Sequence, residues 1–138
     1  MKHAVRIGGA DAEVVVTTAG RASLEGLDAV VDSILSNRRY LPGLRILFDH
    51  SQLDWRSLER EDLVRRLHLA LQSADLLGPR RIAVVSTDER MLLESAALID
   101  GPQWRAFETC EEARAWLGGS QTPGHGSLSA VAASAPGC

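Results

Sequence analysis

Three Gly/Pro pairs divide the middle of this chain at regular intervals. The pairs are Pro42-Gly43, Gly78-Pro79 and Gly101-Pro102, and short apolar runs follow them at 44–48, 82–85 and 104–107. Glycine accepts the left-handed conformation that ends a helix, and proline just beyond it prevents the helix from continuing. The pattern therefore predicts three helix-to-strand junctions.

The apolar runs differ in how their residues alternate. The runs at 44–48 and 82–85 are nearly continuous, which is typical of strands covered on both faces, whereas 104–107 alternates and suits a position nearer a sheet edge. Ahead of them, 5–7 and 14–17 flank a short turn-rich connection, which predicts an antiparallel hairpin. The sequence thus predicts a mixed sheet in which an N-terminal antiparallel hairpin is followed by parallel strands.

Helical periods fill the segments between and after these strands. The predicted helices span residues 24–38, 58–77, 89–100 and 110–117. Ser23 is the predicted N-cap of the first helix, Ser57 is a candidate N-cap of the second, and Thr109 opens a capping box before the last. Arg38 and Arg39 are predicted to close the first helix near the negative end of its dipole. The third helix is predicted to pack through Leu92, Leu93, Ala96, Ala97 and Ile99.

Composition limits the classes of function that fit this α/β chain. A net charge of -3 gives no excess of cations, which disfavours binding to nucleic acid or to an anionic membrane surface. The first residues contain no apolar stretch of the kind found in secretory signals, and no window reaches the length of a membrane span. We therefore predict a cytoplasmic protein that is not an integral membrane protein and does not bind nucleic acid.

The composition changes from Gly118 onward. Residues 119–138 carry no Asp, Glu, Lys or Arg and are rich in Gly, Ser, Ala and Pro. Such a segment cannot bury enough apolar surface to offset its ordering entropy, so we predict a domain at 1–117 and a flexible tail at 118–138. Cys110 and Cys138 have no close-spaced partner, which indicates free thiols and no zinc site.

The order of the predicted elements, together with three stretches of sequence, resembles the STAS superfamily, the sulfate transporter and anti-sigma-factor antagonist domains. They are Gly20–Glu25 entering the first helix, Leu41–Asp49 around the central strand and Arg105–Leu117 at the end. The chain looks most like the SpoIIAA-like branch, whose members also resemble the lipid-binding SEC14 fold. The resemblance implies a STAS-like fold and a regulatory module that binds a protein partner, or a small apolar ligand, without catalysing a reaction.

The same resemblance suggests a phosphoacceptor. In partner-switching STAS proteins, a Ser or Thr at the start of the helix after the central strand is phosphorylated within a short Asp-Ser-Gly-like motif. The corresponding position here is Ser57, with Asp54 three places upstream and no glycine after it. Ser57 is equally suited to a plain N-cap, because serine is common there.

Polar clusters follow two of the predicted parallel strands, at 49–52 and 86–88. Because ligands of open α/β sheets settle beyond the carboxyl ends of the strands, a partner or ligand surface is predicted there. Its candidate residues are Asp49, Asp54, Trp55, Ser86 and Thr87. The alternative is ordinary capping, in which Asp49 binds loop amides and Thr87 or Asp88 caps a helix, while Trp55 packs over the core.

Other kinds of site have less support. Asp49, His50 and Ser51 are the residue types of a hydrolase triad, but consecutive residues do not normally converge in that way, so a hydrolase is a remote alternative. No histidine has a second ligand at metal spacing and phosphate-binding motifs are absent, so no metal or cofactor is predicted. A salt-bridged, solvated face is predicted for the arginines near the second helix: Arg56, Arg60, Arg65 and Arg66.

Two hypotheses on function follow. The first is a regulatory module that docks a protein partner near Asp54, Trp55 and Ser57, with Ser57 phosphorylation as a candidate switch. The second is a carrier or sensor of a small hydrophobic ligand, because the helices at 58–77 and 89–100 are rich in Leu and Ala and suit an apolar groove.

Overall fold

The strands and helices follow each other in the predicted order. The computed structural model describes residues 1–8, 13–41, 43–77, 81–98, 101 and 103–118, and for 71 and 73–77 it describes the backbone alone. The strands are β1 (Lys2–Gly8), β2 (Glu13–Arg21), β3 (Arg45–Asp54), β4 (Ile82–Val85) and β5 (Trp104–Phe107). The helices are α1 (Leu24–Leu35), α2 (Arg60–Leu77), α3 (Glu89–Leu98) and α4 (Cys110–Leu117).

The sheet has its strands in the order β1-β2-β3-β4-β5. β1 and β2 are antiparallel, and every later neighbour is parallel. The predicted mixed sheet is confirmed, as is the position of β5 at an edge. Because the parallel connections progress along the sheet in one direction with the same hand, α1, α2 and α3 lie on the same face. α4 packs on the opposite face.

Each face of the sheet has its own apolar core. The larger core lies under α1, α2 and α3, and its fully buried side chains include Val14, Val16, Ile34, Ile46 and Leu63. The smaller core lies under α4 and is made by Val15, Leu47, Ala83, Val85, Ala113 and Leu117. Alternating residues of β2 and β3 thus enter opposite cores, which explains why these strands are nearly continuously apolar.

The helix caps test the predicted boundaries. The Ser23 side chain accepts from the Gly26 amide at 3.0 Å, and Thr109 accepts from the Glu112 amide at 3.2 Å, so both predicted caps are confirmed. α1 ends at Leu35, however, before the predicted arginines. The reason is local: the Asn37 side chain accepts from the Arg39 amide at 2.9 Å and forms a turn that competes with another helical turn.

α3 packs through a different stripe from the predicted one. Met91 and Ser95 are buried, whereas Leu93 is 65% exposed. The sequence of α3 contains two stripes with the same helical spacing, the observed one through Met91 and Ser95 and the predicted one through Leu92 and Ala96. The Asp88 carboxylate accepts from the Met91 amide at 2.9 Å and fixes the start of the helix. The Arg90 guanidinium also donates to the Trp55 carbonyl oxygen at 2.7 Å, which orients the helix. The predicted packing is therefore wrong for Leu93, Ala96 and Ala97, while Leu92 is half-buried and Ile99 lies outside the described residues.

β3 continues well beyond the predicted strand at 44–48. Its neighbour β4 stops pairing at the Asp49–Val85 pair, but β2 remains paired with β3 as far as Asp54. The polar cluster at 49–52 therefore belongs to the strand and does not form a loop after it. The prediction failed because polar residues ended the apolar run, while backbone pairing to β2 did not depend on those side chains.

The C-terminal predictions have mixed outcomes. Cys110, the first residue of α4, is disulfide-bonded, so the prediction of a free thiol there is wrong. Cys138 lies outside the described residues, as do positions 119–138 of the predicted tail. The division into a domain and a tail stays a prediction.

Candidate functional site

A β-bulge lies in the middle of β3. Thr17 of β2 pairs with Asp49 but Ala19 pairs with Gln52, so β3 contains one more residue than β2 over this stretch. Bulges redirect side chains and are common near functional sites. Here the bulge lies at His50, whose Nδ1 is hydrogen-bonded to Thr18 Oγ1 at 2.7 Å, with both side chains buried.

Burial controls the charge of His50. Its side chain is in the larger core, and desolvation lowers the pKa of the imidazole from 6.5 to about 4. The positive charge of Arg66 lowers this pKa further, and the negative charge of Asp49 opposes the shift. His50 is therefore neutral near pH 7, because protonation would place a second cation close to Arg66 in a site of low dielectric constant.

An aromatic row extends from His50 in both directions. The Trp55 ring meets the His50 ring edge-on, with centroids 5.5 Å apart. On the other side Phe48 stacks on His50 at 5.6 Å, and Trp104 stacks on Phe48 at 6.4 Å. The row thus has Trp55 at one end and Trp104 at the other.

This row forms one wall of a cavity between the sheet and the three helices, which we call the helix-face cavity. Its volume is about 50 Å³, which is space for a few water molecules at roughly 10–15 Å³ each. It is lined by Leu27, Val30, Phe48, His50, Trp55, Leu63, Arg66, Leu67, Ala70, Val84, Met91 and Trp104. The lining is mostly apolar, and within the described ranges it includes no carboxylate.

Three buried N–H groups on this lining have no hydrogen-bond acceptor among the residues that the structure describes. They are Trp55 Nε1, Arg66 Nε and Trp104 Nε1. A buried donor without an acceptor costs about 1–3 kcal/mol, so such groups are rare in folded proteins. The helix-face cavity therefore combines an apolar wall with donors suited to an acceptor brought from outside the chain.

Arg66 departs from the predicted solvated face. Its guanidinium is largely buried, and Nη2 approaches the Leu27 carbonyl oxygen at 3.5 Å. Burial lowers the pKa of Arg66 below its ordinary value, and the nearby Asp28 carboxylate opposes this shift. The prediction is correct for Arg56 and Arg60, which form ion pairs with Asp54 and Glu94. It is wrong for Arg66, because that position follows the buried Leu63 by one helical turn.

The predicted carboxylates of the surface have local partners. Asp49 is buried within β3 and accepts from the Ser51 amide at 3.0 Å and from the Ser51 hydroxyl. Asp54, at the end of β3, accepts from the Arg56 amide and guanidinium at 2.9–3.2 Å. Hydrogen bonding to Arg56 lowers the pKa of Asp54. Asp49 thus has the local role that the sequence left as an alternative, and Asp54 has a role of the same kind.

The predicted residues after β4 also have local roles. Ser86 is buried and its hydroxyl accepts from the Asp88 amide at 3.1 Å, while Thr87 is exposed. Asp88 caps α3, as predicted for one of these two positions. Of the five residues predicted for the surface, Trp55 is the one that lines the helix-face cavity. The other four are not among the residues that line it.

The hydrolase arrangement does not form. His50 is hydrogen-bonded to Thr18, and the Ser51 hydroxyl donates to the Asp49 carboxylate. A triad requires the serine to contact the histidine and the histidine to contact the acid. In the structure these side chains make other bonds, and their order along one strand explains why they do not converge.

Ser57 lies three residues before the first residue of α2. Its hydroxyl donates to the Ala22 carbonyl oxygen at 2.7 Å, so it connects the β3–α2 segment with the start of α1. The first helical bond of α2 runs from the Leu63 amide to the Glu59 carbonyl, which places the helix start beyond Ser57. The prediction of Ser57 as an N-cap is therefore wrong. Ser57 is nevertheless exposed.

Sequence reasoning missed most of the cavity wall. Phe48 was assigned only to a strand, Trp104 only to an edge strand, and Arg66 to solvent. One signal was present in the sequence for Arg66: it lies between Leu63, Leu67 and Ala70 on the apolar stripe of its helix. For the two tryptophans no such signal exists, because their proximity depends on the packing of distant segments.

Comparisons with known proteins bear on the fold. No family model and no curated protein matches the chain. Among solved structures, it is similar to an uncharacterized protein from the DUF3478 family with a SpoIIAA-like fold from Shewanella loihica PV-4. The TM-score is 0.51 at 18% sequence identity, and the match covers 84% of this chain and 92% of that chain. The chain therefore has the predicted SpoIIAA-like α/β fold.

Two kinds of feature are absent from the residues that the structure describes. No helix there has both the length and the apolar character needed to cross a membrane. The same part of the chain holds no group of three or more His, Cys, Asp or Glu side chains placed to bind a metal ion.

Proposed function

We propose that this chain of SpoIIAA-like fold is a non-catalytic module that takes a small, largely apolar molecule into the helix-face cavity. The observation that carries this proposal is the set of buried, unpartnered N–H groups on an otherwise apolar wall. Pockets for small molecules have this composition, with many apolar side chains and a few fixed polar groups that orient the ligand.

The packing around the cavity supports ligand binding over simple imperfect packing. A void lined only by apolar atoms would cost stability without offering any specific interaction. Here the lining residue Trp55 is only 3% exposed, and yet its indole N–H has no acceptor among the described residues. A ligand that brings an acceptor would remove this cost, so binding would gain both apolar contact and a hydrogen bond.

The chemistry of the wall supports binding without catalysis. Within the part of the chain that the structure describes, the lining contains no Ser, Thr, Cys, Lys, Asp or Glu side chain. His50 on this wall has a pKa below neutrality, and the hydroxyl next to it, that of Thr18, is buried and does not line the cavity. A wall of this kind can bind and orient a molecule, and it lacks the nucleophile and base pair that covalent catalysis uses.

Filling the cavity tests the proposal with a neutral probe. Benzyl alcohol should raise the melting temperature of the wild-type protein in a saturable way, because ligands that bind only the folded state stabilise it. Ala70→Leu places extra side-chain volume in the cavity wall and should abolish the effect. His68→Leu, which adds the same side chain at an exposed position of the same helix, should retain it. Circular dichroism would verify that both variants are folded.

Native mass spectrometry after gentle purification provides the independent measurement. The proposal predicts extra mass of a small molecule that is lost in Ala70→Leu. A clean ligand-free mass, together with no saturable response to benzyl alcohol, would contradict the proposal.

We also propose a second, separate function: docking of a protein partner near Asp54, Trp55 and Ser57 that is controlled by phosphorylation of Ser57. Ser57 is exposed, and its hydroxyl is the donor that links two chain segments through the Ala22 carbonyl. A phosphate would replace this donor with negatively charged acceptors facing a carbonyl oxygen, which is repulsive. Phosphorylation would thus separate the two segments beside the wall residue Trp55.

Phosphate mapping tests this second proposal. After incubation in lysate of the native host, intact mass should show one phosphate on the wild-type chain and none on Ser57→Ala. Ser51→Ala is the control, because it removes a different hydroxyl of the same region and should leave the phosphate in place. An unmodified wild-type chain would speak against the switch.

A further inference from the structure

We infer that the ligand of the helix-face cavity is a compact monocarboxylate, an apolar body with one negative head group that lies between Arg66 and Trp55. This inference rests on the proposed function, and it adds the charge, the chemical class and the orientation of the ligand.

The unpartnered groups select the class of head group. Arg66 Nε and Trp55 Nε1 are both donors, so they require acceptors. A carboxylate is an acceptor-only group with about four lone-pair sites, and its hydrogen bonds to a guanidinium are stronger than those of a neutral carbonyl. No acid among the described lining residues competes for these donors.

Both donors belong to lining residues that are related to His50. Trp55 touches the His50 ring edge-on at 5.5 Å, and Arg66 is near enough to His50 for its charge to act on that ring. Trp104 is reached from His50 only through Phe48, by two further ring contacts. The head group therefore lies at the Trp55 end, and the apolar body extends toward Trp104.

Charge balance favours one negative charge over two. The described wall contributes a single guanidinium, whose charge the nearby Asp28 carboxylate partly offsets, and the neighbouring His50 is neutral near pH 7. A dianion such as a phosphonate would bring one uncompensated charge into a largely apolar site, which is costly. The volume of about 50 Å³ has room for only a few non-hydrogen atoms, so the head group and the nearest carbon atoms of the ligand lie inside the cavity and the rest of a short apolar body lies at its mouth.

Isosteric probes test the charge of the ligand. Calorimetry at pH 8.5 with benzoate, benzamide and phenylphosphonate compares a monoanion, its neutral analogue and a dianion on the same ring. Benzoate should bind roughly tenfold or more tightly than benzamide, since hydrogen bonds to charged groups are the stronger kind. Phenylphosphonate should bind more weakly than benzoate.

Paired variants test the position of the head group. Arg66→Gln should reduce the preference for benzoate over benzamide to about twofold or less, whereas Arg65→Gln, an exposed neighbour on the same helix, should keep it. Trp55→Phe retains the ring and removes the N–H, and it should weaken benzoate roughly threefold to tenfold. Trp104→Phe makes the same change at the other end and should leave the benzoate affinity within about twofold of wild type.

The outcomes separate this inference from the proposed function. Saturable binding of benzyl alcohol with no preference for benzoate over benzamide would overturn the inference and leave the ligand-binding function standing. Tighter binding of phenylphosphonate would overturn the carboxylate class. A loss in Trp104→Phe without a loss in Trp55→Phe would overturn the orientation. Failure of all of the probes, benzyl alcohol included, would overturn the proposed function and the inference together.

Discussion

The burial of His50 makes a quantitative prediction about stability and pH. In the folded state desolvation lowers the pKa of this imidazole from 6.5 to about 4, and its ring contacts are with Phe48 and Trp55. Between these two pKa values the unfolded chain binds a proton that the folded chain excludes. The free energy of unfolding therefore increases with pH through this window, and the His50 contribution is lost as the pH falls from 6.5 toward 4.

The size of the effect follows from the two pKa values. Across the whole window, at about 1.4 kcal/mol for each pKa unit, the loss is about 3 kcal/mol. Between pH 7 and pH 5 the linkage relation gives a loss of about 2 kcal/mol from this group alone. That is a large part of the stability of a typical small domain, which is about 5–15 kcal/mol.

Urea unfolding between pH 5 and pH 7 measures this loss. His50→Gln removes the titrating ring while keeping a side chain of similar size that can bond to Thr18. The variant should be less stable than wild type at pH 7, but its stability should fall by about 2 kcal/mol less between pH 7 and pH 5. His68→Gln, which removes an exposed imidazole from α2, is the control and should follow the wild-type profile.

A wild-type profile parallel to that of His50→Gln over this range would refute the reasoning. It would mean that His50 titrates with the same pKa in the folded and unfolded states, and hence that its ring is not excluded from water as the structure describes.

Two further predictions concern packing and capping. Met91→Ala should destabilise the protein by about 2–5 kcal/mol, whereas Leu93→Ala should change the free energy of unfolding by less than about 0.5 kcal/mol, as measured in urea at pH 7. Equal effects would contradict the observed face of α3. Ser23→Ala should cost about 1 kcal/mol through loss of the α1 cap, with the exposed Ser36→Ala as control. A neutral Ser23→Ala would show that the cap does not contribute.

Much of the architecture could be predicted from local signals. The Gly/Pro junctions indicated the parallel strands, and apolar spacing, with the caps at Ser23 and Thr109, indicated the four helices to within a few residues, with α4 matched at both ends. These features depend on neighbouring residues in the chain. The end of α1 was missed because a single side chain, that of Asn37, competes with the next helical turn.

The site was far less predictable, because it depends on contacts between distant segments. The predicted surface assumed that polar residues follow the strand ends, but Asp49, Asp54 and Ser86 make bonds to residues two positions away. The cavity wall combines β3, β5 and three helices. No local pattern indicates that Trp55 and Trp104 lie at two ends of one aromatic row.

The bulge in β3 has a consequence for how this strand uses its sequence. Up to His50, the even-numbered residues Ile46 and Phe48 point toward the helices, but beyond it the odd-numbered Leu53 and Trp55 do so. The extra residue shifts the alternation of side chains between the two faces of the sheet by half a period. Without that shift Leu53 and Trp55 would face away from the helices, and the polar Gln52 and Asp54 would take their places. Trp55 therefore lines the cavity because the strand changes phase, a property of the backbone and not of any one side chain.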